Sequence, residues 1–224
     1  MKKNILFLLG LCLVGISAKA QKLSSIIPSE NPLILKAQGS FYVGGESEMQ
    51  TREQLGGICQ DGHVTVNQMY VRYMIPQTAG TNQANASFVL IHGMHLTGKC
   101  WETTPDGRMG WDEYLVRKGC PVYVVDQVGI GRSGFNQKMH NDAKYGKASS
   151  SQQSAFSRKT DENSWTNFRF GTKDGKPVEE AKFPVEALAE FAKQNVPHIT
   201  SLPSPDANYR CLSELSDHLQ KCVD

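Results

Sequence analysis

SFVLIHGMHLTGKCWETTPDGRMGWDEYLVRKG, residues 87–119, decides how this chain is read. Phe88, Val89, Leu90 and Ile91 form an unbroken apolar run, which suits a strand buried on both faces of a parallel sheet. The run stops at His92-Gly93. A Pro-Asp-Gly turn follows, and then Gly110 to Lys118, in which Trp111, Tyr114 and Leu115 share a helical face and Gly119 is placed to end the helix. Val122 to Val125 is a second unbroken apolar run. Strand, helix and strand make a βαβ unit, so the two strands are expected to be parallel with a right-handed crossover.

A strand that ends in His-Gly before a wide loop suits an oxyanion hole. Gly93 is expected to let the backbone turn where a side chain would clash. The N–H of Met94 can then point at a developing negative oxygen. His92 and His95 flank that position, and His-Gly can equally be a plain strand-ending turn with a structural histidine.

The next segment narrows the choice. VYVVDQVGIGRSG, residues 122–134, is a strand ending in Asp126, followed by Gly129, Gly131, Ser133 and Gly134. The glycines match G-x-G-x-x-G, the dinucleotide fingerprint. That reading fails because they open no amphipathic helix: FNQKMHNDAK has no apolar stripe. No acidic residue closes a second strand about twenty residues on. A metal at His92 and His95 lacks a third ligand in reach. No cofactor and no metal are therefore expected. His63, His140, His198 and His218 sit in polar contexts and read as solvated surface residues. Trp165, Phe168 and Phe170 read as packing.

The order His-Gly loop, helix, strand, D-x-x-G-x-G-x-S is the pattern of α/β-hydrolases. More narrowly, VNQMYVRYMIP, LIHGMHLTG, WETTPDGRMGWDEYLVRKG and VDQVGIGRSG resemble secreted bacterial esterases of that superfamily. FRFG (168–171) and FPVEA (183–187) carry the resemblance into the second half. It implies an α/β fold: the N-terminal portion of an α/β-hydrolase, with a mixed, mostly parallel sheet, flanking helices and a partial cap excursion. It also implies a carboxylic-ester hydrolase acting on a small ester substrate, with Met94 N–H as oxyanion donor. His92, Gly93, His95, Asp126, Gly129 and Gly131 would support the loops, Asp126 as a loop-ordering carboxylate and not the catalytic acid. The pair after His-Gly is Met94-His95, where small or sulfur-bearing residues are often found; the departure, at His95, bears on the acyl pocket and not on a backbone donor. The other reading is a secreted, non-catalytic binding protein built on a partial hydrolase scaffold.

Serine hydrolysis on this fold needs G-x-S-x-G at a strained strand-to-helix turn. No serine here has that context; Ser133 has Gly131 before it but Phe135 where the second glycine belongs. In the family the nucleophile, acid and histidine follow in that order from the fifth strand onward. The chain stops at Asp224, where that strand would begin, so it is expected to be a fragment without nucleophile or catalytic histidine, inactive alone. Val122 to Val125 is expected to lie beside the missing strand.

Elsewhere the pattern is coarser. Ser40 to Val43 reads as a short strand ending at Gly44-Gly45, and Val64 to Ile75 as an alternating, half-exposed edge strand. Residues 135–205 are polar and read as a cap-like insertion. Within them Phe183 to Gln194 shows helical periodicity through Val185, Leu188, Ala189 and Ala192. Asp206 is placed to cap a last core helix (206–224) with Leu212, Leu215, Leu219 and Cys222 on one face. Residues 21–134 form the N-terminal half of the core.

Residues 1–20 read as a cleavable signal peptide: Lys2-Lys3, an apolar stretch from Ile5 to Ile16, and Ala18-Lys19-Ala20. A secreted or periplasmic location follows, and no segment reads as a membrane span. A net charge of +2 over 224 residues gives no pull toward nucleic acid or anionic surfaces. Five cysteines past the leader are too few and too odd in number for a disulfide scaffold. The sequence carries no mark of an oligomeric state.

Overall fold

The structure, a computed structural model, describes residues 30–77, 86–199 and 205–221. The leader reading and Cys222 lie outside those residues. A four-stranded sheet runs through the first half: β1 (Leu35–Gln50), β2 (Gly62–Pro76), β3 (Phe88–Ile91) and β4 (Val122–Asp126), in the order β1-β2-β4-β3. The sheet is mixed. β1 with β2 and β2 with β4 are antiparallel, and β3 with β4 is parallel in the register Phe88–Val122 to Ile91–Val125.

Two expectations about position are corrected by this order. β2 is no edge strand; it lies between β1 and β4. β4 is paired on both sides, so it is β3 that has no described partner on its outer side. The burial follows: all of β4 is buried, whereas Phe88 and Ile91 are 39% and 40% exposed. An apolar run thus reports apolar surroundings for β4 and an apolar, half-open edge for β3.

β1 also runs past Gly44-Gly45 instead of stopping there. Both glycines have positive φ (67° and 101°), and so does Asn67 (62°) on the facing strand, so the ribbon kinks but keeps its register. A Cβ on Gly44 would strike Cys211 Sγ, and its N–H leaves the ladder to reach Glu214 Oε2 at 2.9 Å.

The sheet is covered on both faces. Alternation along β4 sends Tyr123 and Val125 to one side and Val122 and Val124 to the other. The first side packs with Val43, Met69 and Val71 under α5 (Pro205–Lys221) through Ala207, Cys211 and Leu215. The second packs with Met74 under α1 (Trp111–Arg117) through Val116. Burying each Leu or Met side chain stabilises the fold by about 1.5–3 kcal/mol. The α1 face differs from expectation. Asp112 and Val116 point inward, while Trp111 and Tyr114 meet edge-to-face at 5.9 Å on the surface. Asp112 is tolerable inside because Arg72 Nη2 donates to it at 2.9 Å. α5 starts at Pro205, a favoured first helical residue, so Asp206 lies in its first turn and not before it.

The second half adds α2 (Lys138–Lys144), β5 (Phe156–Ser157), α3 (Asp161–Asn167), α4 (Leu188–Ala192) and β6 (His198–Ile199). β5 and β6 form their own antiparallel pair. Phe168, Phe170, Phe183 and Phe191 stack together, with Phe170 and Phe183 rings 3.7 Å apart. This cluster turns the Ala187–Phe191 face of α4 inward. Val185, Leu188, Ala189 and Ala192 instead line an open groove of about 830 Å³ with Trp165, a correction to the face read from periodicity.

Candidate functional site

Parallel pairing of β3 with β4 brings their carboxyl ends side by side, so the chain leaves the sheet at His92 and at Asp126 as neighbours. Ligand sites of open α/β sheets lie outside such strand ends. The two exits are stitched reciprocally. Gln127 N–H donates to His92 Nε2 at 3.0 Å, and Gln127 Nε2 donates to His92 O at 2.9 Å. Because His92 Nε2 accepts, its proton sits on Nδ1, which donates to Gly93 O at 2.9 Å. Burial favours the neutral ring and lowers the His92 pKa, against the opposing pull of Gly93 O and Asp126.

Asp126 is fully buried and orders the loops on either side. Gly98 N–H donates to Oδ1 at 2.7 Å, and Arg132 donates to Oδ2 through its backbone N–H at 2.9 Å and Nε at 2.8 Å. Burial alone would raise this carboxyl's pKa; the Arg132 and Gly98 donors outweigh it and hold the group below the ordinary carboxylate value. Arg132 is steadied in turn by the Tyr70 ring, 4.1 Å from the guanidinium carbon. Gly131 (φ 53°) must be glycine: a Cβ there would lie 2.6 Å from Asp126 Oδ2. Gly129 also has positive φ (81°). Ser133 Oγ is buried, donating to Asp126 O at 2.5 Å and accepting from Tyr70 N–H at 2.8 Å. It is a strut between β2 and the loop.

Met94 lies at the outer end of this arrangement with 69% of its surface exposed. Among the described residues no acceptor meets its N–H. A backbone N–H held at the mouth of two ordered loops can donate to an anion or to a carbonyl oxygen gaining charge. Gly93 is not required for the turn. A Cβ built there meets nothing within 4 Å, and its φ is not in the left-handed region. The expected clash is absent because the space beside Gly93 is open. The strained residue is His95, with φ 65°.

His95 is buried and tied down at three points from the second half of the chain. Its N–H donates to His198 Nδ1 at 3.0 Å, its O accepts from Val196 N–H at 2.9 Å, and its Nε2 lies 2.8 Å from Ser157 Oγ. Its pKa is lowered by burial and by the nearby Lys159. His198, read from sequence as a solvated surface residue, is buried, because β6 carries it under the His92–Leu96 loop. Its Nδ1 accepts, so its Nε2–H donates to Leu96 O at 3.1 Å. The ring stands 5.2 Å from the His95 ring and 6.0 Å from the His92 ring. Burial, and the two neighbouring histidines, push its pKa down to about 4. His198, Ser157, Val196 and Gln127 carry no sequence signal of this role: the first two lie in two-residue strands, too short for a hydrophobic period, and the other two in loops. Among the described residues no group of His, Cys, Asp or Glu side chains could hold a metal. No helix among them is long and apolar enough to cross a membrane.

No protein-family model matches the chain. A solved structure described as "The Atomic Resolution Structure of a Novel Bacterial Esterase" matches 86% of it at 44% identity with a TM-score of 0.78. The chain spans 61% of that protein. The curated protein "Probable secreted lipase phiG" from Fungal sp. (strain ATCC 74256) is 34% identical over 93 residues, which are 42% of this chain and 20% of that relative. With its mixed sheet, covering helices and loop-bearing strand ends, the chain has a partial α/β-hydrolase fold and is similar to a bacterial esterase.

Proposed function

We propose that this chain carries the oxyanion side of a carboxylic-ester hydrolase, with Met94 N–H as one donor. The observation that carries the reading is the placement of an exposed residue, Met94, whose N–H meets no acceptor among the described residues, just past the carboxyl end of β3, in a chain 44% identical to a bacterial esterase over the matched region. In the reaction a serine oxygen bonds to the ester carbonyl carbon and its proton passes to a histidine. The carbonyl oxygen takes up negative charge against Met94 N–H and a second backbone N–H. Collapse expels the alcohol with that proton, and water then releases the acid. No residue of this chain is assigned as nucleophile, catalytic acid or catalytic histidine: Ser133 is a buried strut and no serine has the G-x-S-x-G context. The 224-residue chain alone is accordingly inactive, and the reaction requires no cofactor. His92, His95, Asp126, Gly129 and Gly131 hold the loops, Gly93 leaves open space beside the Met94 N–H, and residues 135–205 serve as a cap. The leader-like residues 1–20, and a relative described as secreted, support export.

The test uses short-chain aryl esters and an organophosphonate probe. The 224-residue chain is expected to show neither turnover nor serine labelling. A longer protein that supplies the nucleophile is expected to turn over, with Met94→Pro, which deletes the N–H, lowering kcat by about 10²–10³ and Met94→Leu costing far less. Equal losses in the two variants, or labelling of a serine in the short chain, would overturn the assignment. No turnover in the longer protein favours a binding protein on a hydrolase scaffold.

A further inference from the structure

We propose that His198 is a positioning residue for the Met94 N–H, gripping the backbone of the next two residues, His95 and Leu96, from β6. This rests on the hydrolase reading for the purpose of the Met94 N–H, but the grip itself is a matter of geometry.

Both ring nitrogens of His198 are spent on this one loop. Nδ1 accepts from His95 N–H at 3.0 Å and Nε2–H donates to Leu96 O at 3.1 Å, across 103 and 102 residues of sequence. A histidine that merely filled the core would have no need to serve the N–H of one residue and the carbonyl of the next in a distant turn. Those peptide groups follow the one that bears the candidate donor. His95 N–H belongs to the peptide joining Met94 to His95, so fixing it fixes ψ of Met94 and the plane beyond it. The adjoining plane carries Met94 N–H.

The grip is needed because His95 occupies a left-handed conformation (φ 65°), which a residue with a Cβ adopts only when its surroundings impose it. Val196 N–H on His95 O and Ser157 Oγ on His95 Nε2 complete the restraint. β5 supplies Ser157 and β6 supplies His198; their pairing, Ser157 opposite His198, delivers both groups together. Removing the His198 acceptor leaves a buried N–H with no partner and frees the turn to relax.

Backbone N–H exchange and chemical shifts in the ¹⁵N-labelled 224-residue chain test this without any need for turnover. Asn places an oxygen near the Nδ1 position, whereas Gln places its amide near Nε2. His198→Asn is therefore expected to keep the His95 amide protected and Met94 at its wild-type shift. His198→Gln is expected to lose about 10-fold or more in His95 protection and to move the Met94 signal, with Val71 and Val125 amides unchanged. The proposal is overturned if His198→Gln keeps both wild-type signals, or if His198→Asn loses them as well. Should His198→Gln not fold, the His198→Asn result alone decides. Ester assays of the longer protein that fail while this pattern stands remove the hydrolase reading and leave the grip.

Discussion

The carboxylate of Asp126 accepts the Gly98 N–H at 2.7 Å, joining the end of β4 to the turn that follows the His92–Leu96 loop. Arg132 occupies the other oxygen, so one buried group sets the relative position of two loops.

Asp126→Asn keeps the shape but replaces an acceptor oxygen by a donor that must face Gly98 N–H or Arg132. Breaking a buried charged pair by changing one partner costs about 3–5 kcal/mol. A loss near the lower figure is expected, read from the denaturant midpoint with the slope unchanged. A change under about 1 kcal/mol would show that the loops are ordered by other contacts.

Gly93 and Gly110 should respond in opposite ways. A Cβ at Gly93 meets open space, so Gly93→Ala should shift Tm by no more than about 2 °C. A Cβ at Gly110 would overlap the backbone of Trp101 and Glu102, which cannot give way as a side chain could. Gly110→Ala is therefore expected to destabilise by roughly 2 kcal/mol or more. Thermal unfolding of the two variants in parallel checks the contrast; equal stability would mean that the Glu102 turn is far softer than its packing implies.

Acid should loosen the site before it unfolds carboxylate networks. His198 falls from an ordinary histidine value of 6.5 to about 4 in the fold, and His92 and His95 shift the same way. Between those values the unfolded chain binds more protons than the native one, so stability is fully present above about pH 7 and declines as pH falls toward 4. The His198 share is up to about 3 kcal/mol, from 1.36 kcal/mol per pKa unit. Denaturant titrations at pH 7.5, 6 and 5 are expected to show this decline, with a shallower slope in His198→Asn. A pH-independent stability over that range contradicts the burial of these rings.

The outer side of β3 should be the adhesive one. Its apolar edge, with Phe88 and Ile91 half exposed, has no described partner, and such edges template association. Phe88→Lys is expected to raise the concentration at which the chain stays monodisperse in light scattering while moving Tm by at most about 2 °C. Unchanged association would place the contact elsewhere, and the apolar groove beside α4 is then the face to test.

Local chemistry alone determined the βαβ unit. The apolar runs 88–91 and 122–125 became parallel β3 and β4 because each is too apolar and too short for anything but a strand, with an intervening stretch long enough for a crossover helix. That the chain leaves the sheet after residues 91 and 126 was legible too, since each apolar run stops there. Tertiary structure decided the rest. Neighbourhood in the sheet is set by which strand is covered on both sides, and an apolar run cannot say whether it lies at the centre, as β4 does, or at the rim, as β3 does. Periodicity likewise named an apolar side of α4, yet the phenylalanine cluster turned the Ala187–Phe191 side inward. His198 shows the limit most clearly. Its neighbours in sequence, Pro197 and Ile199, say nothing of a partner for its ring, and only the folding of β6 against the His92–Leu96 loop, 102 residues away along the chain, withdraws that ring from water and gives both nitrogens a partner.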